Sequence, residues 1–394
     1  MRLSVIASAS VAALVGFGGT LALVIAAAQA LGATQAQTAS WVTANCLAMA
    51  VSAAFLSWRY RMPLITAWST PGLALIGAST GFTMPEAVGA FIVTAIAIIL
   101  TGLIKPISAF VARIPASIAS GMLAGVLVSF VIGAAKTLPV DPVLVLPLVA
   151  LFFVIRLFNP AMAVLTVLFA GIIFAFTLDR VPDLPAPEFS TLAWITPVFH
   201  AKAMIGLALP LYLVTMASQN LPGFAVLRAA GYEPPTGPCL QVTGLVSLLT
   251  APFGAHTSNM AAISAALCTG PDAHPDAARR WLTGPVYGVC YLVFAIFGAS
   301  LVALFAVLPA VLIVLIAGLA LLPPFINALT LALKAENERL PAMVTFAVTA
   351  SGIAIAGIGS AFWALVAGLA VAALDHAKSR ISAANQNKNR TITP

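Results

Sequence analysis

Six long stretches of this chain contain no Asp, Glu, Lys or Arg: residues 3–58, 62–85, 203–227, 234–271, 281–333 and 340–374. A bilayer core requires about 20 apolar residues per helix, so the longest stretches have room for two membrane spans each. Only 7% of the 394 residues are charged, whereas soluble domains contain roughly 25% charged residues. This composition excludes a soluble domain and a disordered chain, and it predicts an all-α polytopic membrane protein.

The apolar runs, divided at Pro, Gly and charged residues, predict about fourteen transmembrane segments. They cover approximately residues 10–31, 38–58, 64–79, 85–104, 114–134, 139–157, 160–178, 202–227, 236–251, 256–270, 281–306, 309–330, 340–356 and 358–375. The third and tenth segments are short and interrupted by Gly and Pro. We therefore expect each of these two to contain a half-helix that begins inside the membrane.

The basic residues set the orientation. With a cytoplasmic amino terminus, fifteen of the eighteen basic residues, including Lys105 and Arg113, fall on the inside, and only Lys136, Arg180 and Lys202 fall outside. The positive-inside rule then favours an even number of spans with both termini in the cytoplasm. Because the basic residues form short clusters between spans, no nucleic-acid partner is expected. The polar tail, residues 378–394, is expected to be disordered and suited to contact anionic membrane lipid.

Weak internal similarity suggests two related halves. Residues 61–70 align with residues 250–259 at an offset of 189, and Ile114-Pro115-Ala116 resembles Leu308-Pro309-Ala310 at an offset of 194. Many transporters consist of two such repeats. Seven segments per half is an odd number, so the two halves are expected to lie inverted in the bilayer, as a 7+7 repeat.

The half-helix of the third segment, in Trp68-Ser69-Thr70-Pro71-Gly72-Leu73, should begin near Pro71, because proline is favoured at the first helical position and Thr70 just before it can cap the exposed N–H groups. In the second half, Ser258-Asn259 is expected to be the corresponding cap. Two half-helix amino termini facing each other near the midplane would bind an anion without Lys or Arg. The alternative is a proline-kinked pair of ordinary helices whose polar residues are satisfied.

A polar cluster, Ser218-Gln219-Asn220, interrupts the eighth segment. Polar side chains are costly in hydrocarbon unless they face protein or a water-filled cavity. Their amide groups offer both donors and acceptors to a small polar ligand. Hydrogen bonds between helices are the alternative explanation.

Two further residues are candidates near this centre. Phe17, beside Gly16 and Gly18-Gly19 in the first segment, has a ring that could stack on a planar ligand, although an isolated Phe often faces lipid or the protein interior. His256 is the ionisable side chain placed well inside a predicted span. It is either the carrier of a coupled proton or a neutral hydrogen-bonding residue.

The sequence contains no H-E-x-x-H, no P-loop with Lys-Ser/Thr and no paired intramembrane aspartates, and its four cysteines form no C-x-x-C pair. We therefore expect neither an enzyme nor a bound metal or cofactor.

Four motifs resemble the bacterial benzoate/proton symporter family, and the resemblance spans nearly the whole chain. They are Thr66-Ala67-Trp68-Ser69-Thr70-Pro71-Gly72, residues 213–223 (LVTMASQNLPG), Ala273-His274-Pro275-Asp276 and residues 357–363 (GIGSAFW). The family is related in fold to nucleobase permeases and sulfate-type anion transporters. The resemblance implies short antiparallel strands before the half-helices of segments 3 and 10. It also implies a core domain of residues 1–110 and 201–307, a gate domain of residues 111–200 and 308–377, and a cytoplasmic tail of residues 378–394.

The resemblance also implies a function: import of benzoate, or a similar aromatic carboxylate, with a proton by alternating access, in the bacterial inner membrane. Thr70 and Asn259 would hold the carboxylate, Gln219 and Asn220 would orient it, and Phe17 would contact the ring. Nucleobase permeases carry acidic residues near segments 8 and 10, where this chain has Ser218-Gln219 and Ser258-Asn259. Transport or exchange of another small anion or a nucleobase, and an anion channel, are the alternatives. Related folds often dimerise, which makes a homodimer a candidate assembly.

Overall fold

The computed structural model describes residues 2–79, 81–104, 115–181, 185–355 and 359–390. Several sequence features lie outside the described residues: Lys105 and Arg113, the domain boundary at 110/111, and Gly357 and Ile358 of the last motif. The first half contains α1 (Leu3–Gly18), α2 (Leu21–Ala30), α3 (Gln35–Tyr60), β1 (Thr66–Trp68), α4 (Thr70–Ala78), α5 (Met84–Leu103), α6 (Ala116–Lys136), α7 (Pro142–Phe158) and α8 (Pro160–Thr177).

The second half repeats this order of elements. It contains α9 (Ala201–Ala229), α10 (Thr236–Thr250), β2 (Ser258–Met260), α11 (Ile263–Thr269), α12 (Thr283–Ile296), α13 (Gly298–Val307), α14 (Ala310–Ala332), α15 (Arg339–Ala350) and α16 (Ser360–Arg390). Helix α9 includes two π-helical turns, Met204–Ala208 and Met216–Asn220. In each half a short strand and a short helix follow one another at the predicted third and tenth segments, as the family resemblance implies.

Length and composition identify the helices that can cross a membrane. Within the described ranges, six helices qualify, and a seventh span results if the bent pair Ala277–Ile296 and Gly298–Val307 counts as one. Three shorter apolar helices accompany them. The protein is therefore a multi-pass membrane protein, while fourteen as the number of segments remains a prediction.

Two predicted segments and the tail differ from the helices observed. The first begins at Leu3 and breaks between Gly18 and Leu21, where the hydroxyl of Thr20 bonds back to the carbonyl of Gly16 at 2.6 Å. The eleventh bends by 59° at Phe297. The tail was expected to be disordered, but α16 continues to Arg390, because the alanine and basic residues beyond Asp375 favour helix.

The helices pack in two sets. In one, α3 packs against α12 and α13, and α5 packs against α10; in the other, α6 packs against α14 and α15. Helices approach closely at small residues, as is usual in membranes. At Gly125 of α6, a Cβ atom would lie 2.6 Å from the carbonyl oxygen of Phe346 in α15.

Candidate functional site

The strands β1 and β2 form a two-stranded antiparallel ladder that joins the two halves of the chain. Ala67 pairs with Asn259, and Trp68 pairs with Ser258. Directly opposed residues share a face of an antiparallel ladder, and successive residues alternate between faces. The side chain of Asn259 therefore lies on the face of Ala67, whereas Ser258 lies on the face of Trp68. The register thus separates two residues that the sequence placed together.

Helix α4 begins directly after β1, and its cap is Ser69. The Ser69 hydroxyl accepts the N–H of Gly72 at 3.1 Å, and the side chain is fully buried. Thr70, the predicted cap, is instead the first helical residue and is half-buried, so the predicted capping residue is wrong. The expectation of a helix starting near Pro71 is confirmed, with the capping group one residue earlier than Thr70.

The predicted cap of the second half-helix is wrong. Ser258 and Asn259 lie in β2, and α11 begins only at Ile263, with no side chain capping it. The backbone of Ala261 still follows the ladder, because its N–H donates to the carbonyl of Ile65 at 2.9 Å. Pairing with β1 satisfies backbone groups that a helix start would leave free, so the strand extends over the positions expected to form the cap.

Three hydroxyl groups connect α4, α9 and the loop before β2. Thr215 of α9 donates to the Ser69 hydroxyl at 3.1 Å, and the hydroxyls of Thr215 and Thr257 lie 2.9 Å apart. The N–H of Ser69 also donates to the carbonyl of Thr257 at 3.0 Å. All three residues are fully buried. This chain fixes the start of α4 against the second half of the protein.

The polar cluster of α9 contacts β2. Gln219 accepts from the Asn259 amide at 3.5 Å, and Asn220 accepts the N–H of Met260 at 3.0 Å. Asn220 is fully buried, whereas Ser218 and Gln219 are half-buried. The π-helical turn Met216–Asn220 carries the whole cluster, a geometry frequent at functional sites.

His256 lies next to this centre and is fully buried. Its Nδ1 atom lies 3.1 Å from Trp41 Nε1 and 3.1 Å from Asn45 Nδ2, and its Nε2 atom lies 3.2 Å from the carbonyl oxygen of Ser69. The Trp41 indole can only donate, so Nδ1 accepts, and the carbonyl can only accept, so Nε2 carries the proton. These contacts favour the neutral, hydrogen-bonding interpretation of His256.

Phe17 belongs to an aromatic cluster on the Trp68 face of the ladder. Its ring centroid lies 5.7 Å from that of Trp68 and 4.5 Å from that of Phe294, and 5% of the residue is exposed. Trp68 donates its indole N–H to Thr20 at 2.7 Å, and Tyr287 donates its hydroxyl to the carbonyl of Thr66 at 3.0 Å. The cluster supports β1 from the side opposite Asn259.

The structure therefore groups the predicted residues in two sets. Ser69, Gln219, Asn220, His256 and Asn259 are joined by hydrogen bonds to one another or through Thr215, Thr257 and Met260, and Phe17 contacts the other face of the ladder. Sequence reasoning missed Thr215, Thr257, Trp41 and Asn45. The sequence does indicate that Trp41 and Asn45 lie together, because their i, i+4 spacing places both on one face of α3.

Two cavities lie away from this centre. One, of about 300 Å³, lies between α2, α4, α6 and α14 and is lined by residues including Gln29, Gly77, Ser129, Phe130 and Ile313. The other lies beside Phe152, Arg156 and Pro323. Neither is lined by a predicted site residue. Among the residues that the structure describes, no group of three or more His, Cys, Asp or Glu is arranged to hold a metal ion.

Comparison with known sequences identifies relatives along the whole chain. The family model described as "Benzoate membrane transport protein" matches residues 1–374. The "Inner membrane protein YdcO" of Escherichia coli (strain K12) is 42% identical over 366 residues, which cover 91% of this chain and 92% of that protein. The "Benzoate membrane transport protein" of Acinetobacter baylyi (strain ATCC 33305 / BD413 / ADP1) is 35% identical over 360 residues, which cover 91% of each chain.

Two solved structures share the fold. The transmembrane domain of a cyanobacterium bicarbonate transporter, BicA, superposes with a TM-score of 0.66 at 16% identity, covering 93% of this chain and 98% of that chain. SLC26A9 superposes with a TM-score of 0.63 at 14% identity, covering 94% of this chain and 65% of that chain. At such low identity the likeness concerns the fold alone.

Proposed function

Because this chain belongs to the benzoate membrane transport protein family, whose members are membrane transporters and not enzymes, we propose that it imports benzoate or a similar aromatic carboxylate together with a proton. The transport would be secondary and would proceed by alternating access. A relative that is 35% identical bears the name of a benzoate transport protein, which supports the choice of substrate.

The observation that carries the proposal is the neutral polar centre where the two halves meet. The start of α4, the ladder of β1 and β2 and the π-helical turn of α9 converge there, and Ala67, Thr70 and Gln219 are half-buried rather than sealed. Small-molecule sites in transporters lie at such repeat interfaces, at interrupted helices. Thr70 and Asn259 would bind the carboxyl group, and Ser69, Ser218, Gln219 and Asn220 would orient it. Phe17 and Ser258 would shape the site from the opposite face of the ladder rather than contact the substrate ring.

The two packing sets support a mechanism in which one domain moves as a rigid body against the other. We assign α1–α5 and α9–α13 to a core domain that carries the site, and α6–α8 and α14–α16 to a gate domain. The 300 Å³ cavity lies between the sets, bordered by Gly77 of α4 on one side and Phe130 and Ile313 on the other. If the amino terminus is cytoplasmic, this cavity opens toward the outside, where substrate would enter.

The environment of the protein is proposed from the same reasoning. We place the chain in the bacterial inner membrane, as the name of its relative YdcO indicates for that protein. Both termini would be cytoplasmic, with the basic residues on the inside in contact with anionic lipid. A homodimer is the proposed assembly.

Uptake into proteoliposomes tests the function. Purified protein is reconstituted, and radiolabelled benzoate uptake is followed with an inward proton gradient, without one, and with a protonophore. We expect accumulation above the external concentration only with the gradient. Equilibration without accumulation would indicate a uniporter or channel, and uptake of a nucleobase or bicarbonate in place of benzoate would indicate another substrate class.

A further inference from the structure

The side-chain amide of Asn259 has an unused acceptor. Its Oδ1 atom is buried and has no hydrogen-bond partner, although the residue is fully buried. Its Nδ2 atom donates to the carbonyl of Met260 at 2.9 Å and reaches Gln219 Oε1 only at 3.5 Å. A buried polar atom without a partner costs free energy, which a ligand would recover by donating to it.

The carbonyl of Met260 determines which atom of the Asn259 amide is the nitrogen and which is the oxygen. The carbonyl of Met260 can only accept, so the atom next to it must be the nitrogen and the free atom must be the oxygen. Half-buried Ala67 is the cross-strand partner of Asn259, and half-buried Gln219 lies beside it, so the buried amide of Asn259 adjoins two partly exposed residues. That edge offers one acceptor and one weakly used donor.

Among the described residues of the elements that pack against β2, none places a positive charge beside Asn259 for an anion. The elements packed against β2 are β1, α3, α9 and α10. Their titratable or charged side chains are Cys46, Arg59, Tyr60, Lys202, Tyr212, Arg228 and Cys239, and His256 precedes β2. Arg59, Tyr60, Lys202 and Arg228 lie at helix ends, Tyr212 bonds to Thr101 of α5, and His256 is committed to Ser69 and Trp41.

The start of α4 also has few donors left. Pro71 has no N–H, Gly72 donates to the Ser69 hydroxyl, and Leu73 donates to the Ser69 carbonyl. Of the backbone N–H groups described there, that of Thr70 remains for a ligand, together with the Thr70 hydroxyl. Helix α11 begins only at Ile263, four residues after Asn259, once Ala261 has paired with Ile65. A carboxylate, which only accepts hydrogen bonds, would leave Asn259 Oδ1 unsatisfied and facing a negative charge.

We propose that the species bound at Asn259 is the neutral carboxylic acid, so that the substrate itself carries the coupled proton. The acid O–H donates to Asn259 Oδ1, and the acid carbonyl accepts from Asn259 Nδ2, in a reciprocal pair. The acid enters as R–COOH, crosses intact, and dissociates in the cytoplasm into R–COO⁻ and H⁺. No protein group changes its protonation state, which agrees with a core that lacks an acidic residue beside the site.

The inference rests on the proposed transport of aromatic carboxylates. Its first test is benzoate binding to the purified protein by calorimetry between pH 5 and pH 8. Since a carboxyl group of this kind titrates at about pH 4, we expect the apparent Kd to rise about tenfold per pH unit. Benzamide offers the same donor and acceptor without titrating, and its Kd is expected to stay constant over this range.

Ring-fluorinated benzoates separate a substrate-borne proton from a protein-borne one. Each fluorine makes the carboxyl group more acidic with little change in size. At a fixed pH of 7, affinity should fall in proportion to the acid fraction, while the matching fluorinated benzamides bind equally. Equal affinities across the benzoates would overturn the inference and leave benzoate transport standing. Binding of none of these ligands at any pH would overturn the proposed function.

A variant tests the role of Asn259. In Asn259→Leu we expect benzoate and benzamide to lose at least tenfold in affinity together, with the melting temperature nearly unchanged. Thr243→Val is the matched control, because the Thr243 hydroxyl is buried on α10 and bonds to Cys239 and Leu240 of its own helix. Loss of benzoate binding with benzamide binding retained would contradict the reciprocal pair.

Discussion

The Nε2 atom of His256 lies 3.2 Å from the carbonyl oxygen of Ser69, the residue that caps α4. Trp41 and Asn45, both on α3, donate hydrogen bonds to the other ring nitrogen, Nδ1. The imidazole therefore connects a helix of the first half to the point where β1 ends and α4 begins. We infer from this arrangement that His256 positions the start of α4 rather than carrying a proton.

Replacing His256 distinguishes that role from proton transfer. Glutamine can place an N–H near the Ser69 carbonyl, so we expect His256→Gln to retain uptake with an unchanged pH profile. His256→Leu leaves the Trp41 indole N–H and the Asn45 amide N–H without their acceptor, and each buried unpaired group costs about 1–3 kcal/mol. Thermal unfolding in detergent and uptake between pH 5 and pH 8 measure both effects. A pH profile altered in His256→Gln would instead identify His256 as a proton carrier.

Thr215 is expected to contribute both to the stability of the protein and to the binding of benzoate. Thr215→Val keeps the shape but removes the hydroxyl that contacts Ser69 and Thr257. We expect a loss of about 1–3 kcal/mol of stability, because the two partners remain buried, together with weaker benzoate binding.

The control for this change is Thr330→Val on α14. Its hydroxyl is exposed and bonds to Ile326 of the same helix, so we expect a change within about 0.5 kcal/mol. Equal melting temperatures and affinities in the two variants would show that the hydroxyl chain does not fix α4.

Gly125 of α6 should not tolerate a side chain. A Cβ atom there would lie 2.6 Å from the carbonyl oxygen of Phe346, so Gly125→Ala must push α6 and α15 apart. Overpacking of this kind costs typically about 1–3 kcal/mol. On the same helix, a Cβ atom at Gly133 would meet Val314 at an ordinary 3.6 Å. We expect a lowered melting temperature for Gly125→Ala and little change for Gly133→Ala; the reverse order would refute the close packing.

The side chain of Arg280 stabilises the loop that follows α11 through hydrogen bonds. Its guanidinium donates to the carbonyls of Thr269 and His274, both at 2.8 Å. Hydrogen bonds to charged groups contribute about 1.5–3 kcal/mol, so Arg280→Gln should destabilise the loop and increase proteolysis there. Neighbouring Arg279 forms an exposed pair with Asp276, and Arg279→Gln should change stability by less than about 1 kcal/mol. Equal protease sensitivity of both variants would contradict this assignment.

The sequence determined the class of the protein through its apolar runs. Uncharged stretches bounded by Gly and Pro predict membrane helices, because backbone groups inside a bilayer must be paired. The predicted segments agree with the observed elements within several residues at most boundaries. It also located the interruptions at Ser69 and in residues 218–220, because helix starters and adjacent amides are conspicuous in apolar sequence.

Only the tertiary structure decided which polar atoms meet. The ladder register placed Asn259 and Ser258 on opposite faces, and made both of them strand residues rather than helix caps. Thr215 and Thr257 became site residues through contacts between elements distant in sequence. Local propensity cannot specify such pairings, because strand pairing depends on the partner strand and on the packing around it. The proposed protonation state of the substrate rests on the Oδ1 atom of Asn259. That atom lacks a hydrogen-bond partner because of the tertiary packing around it.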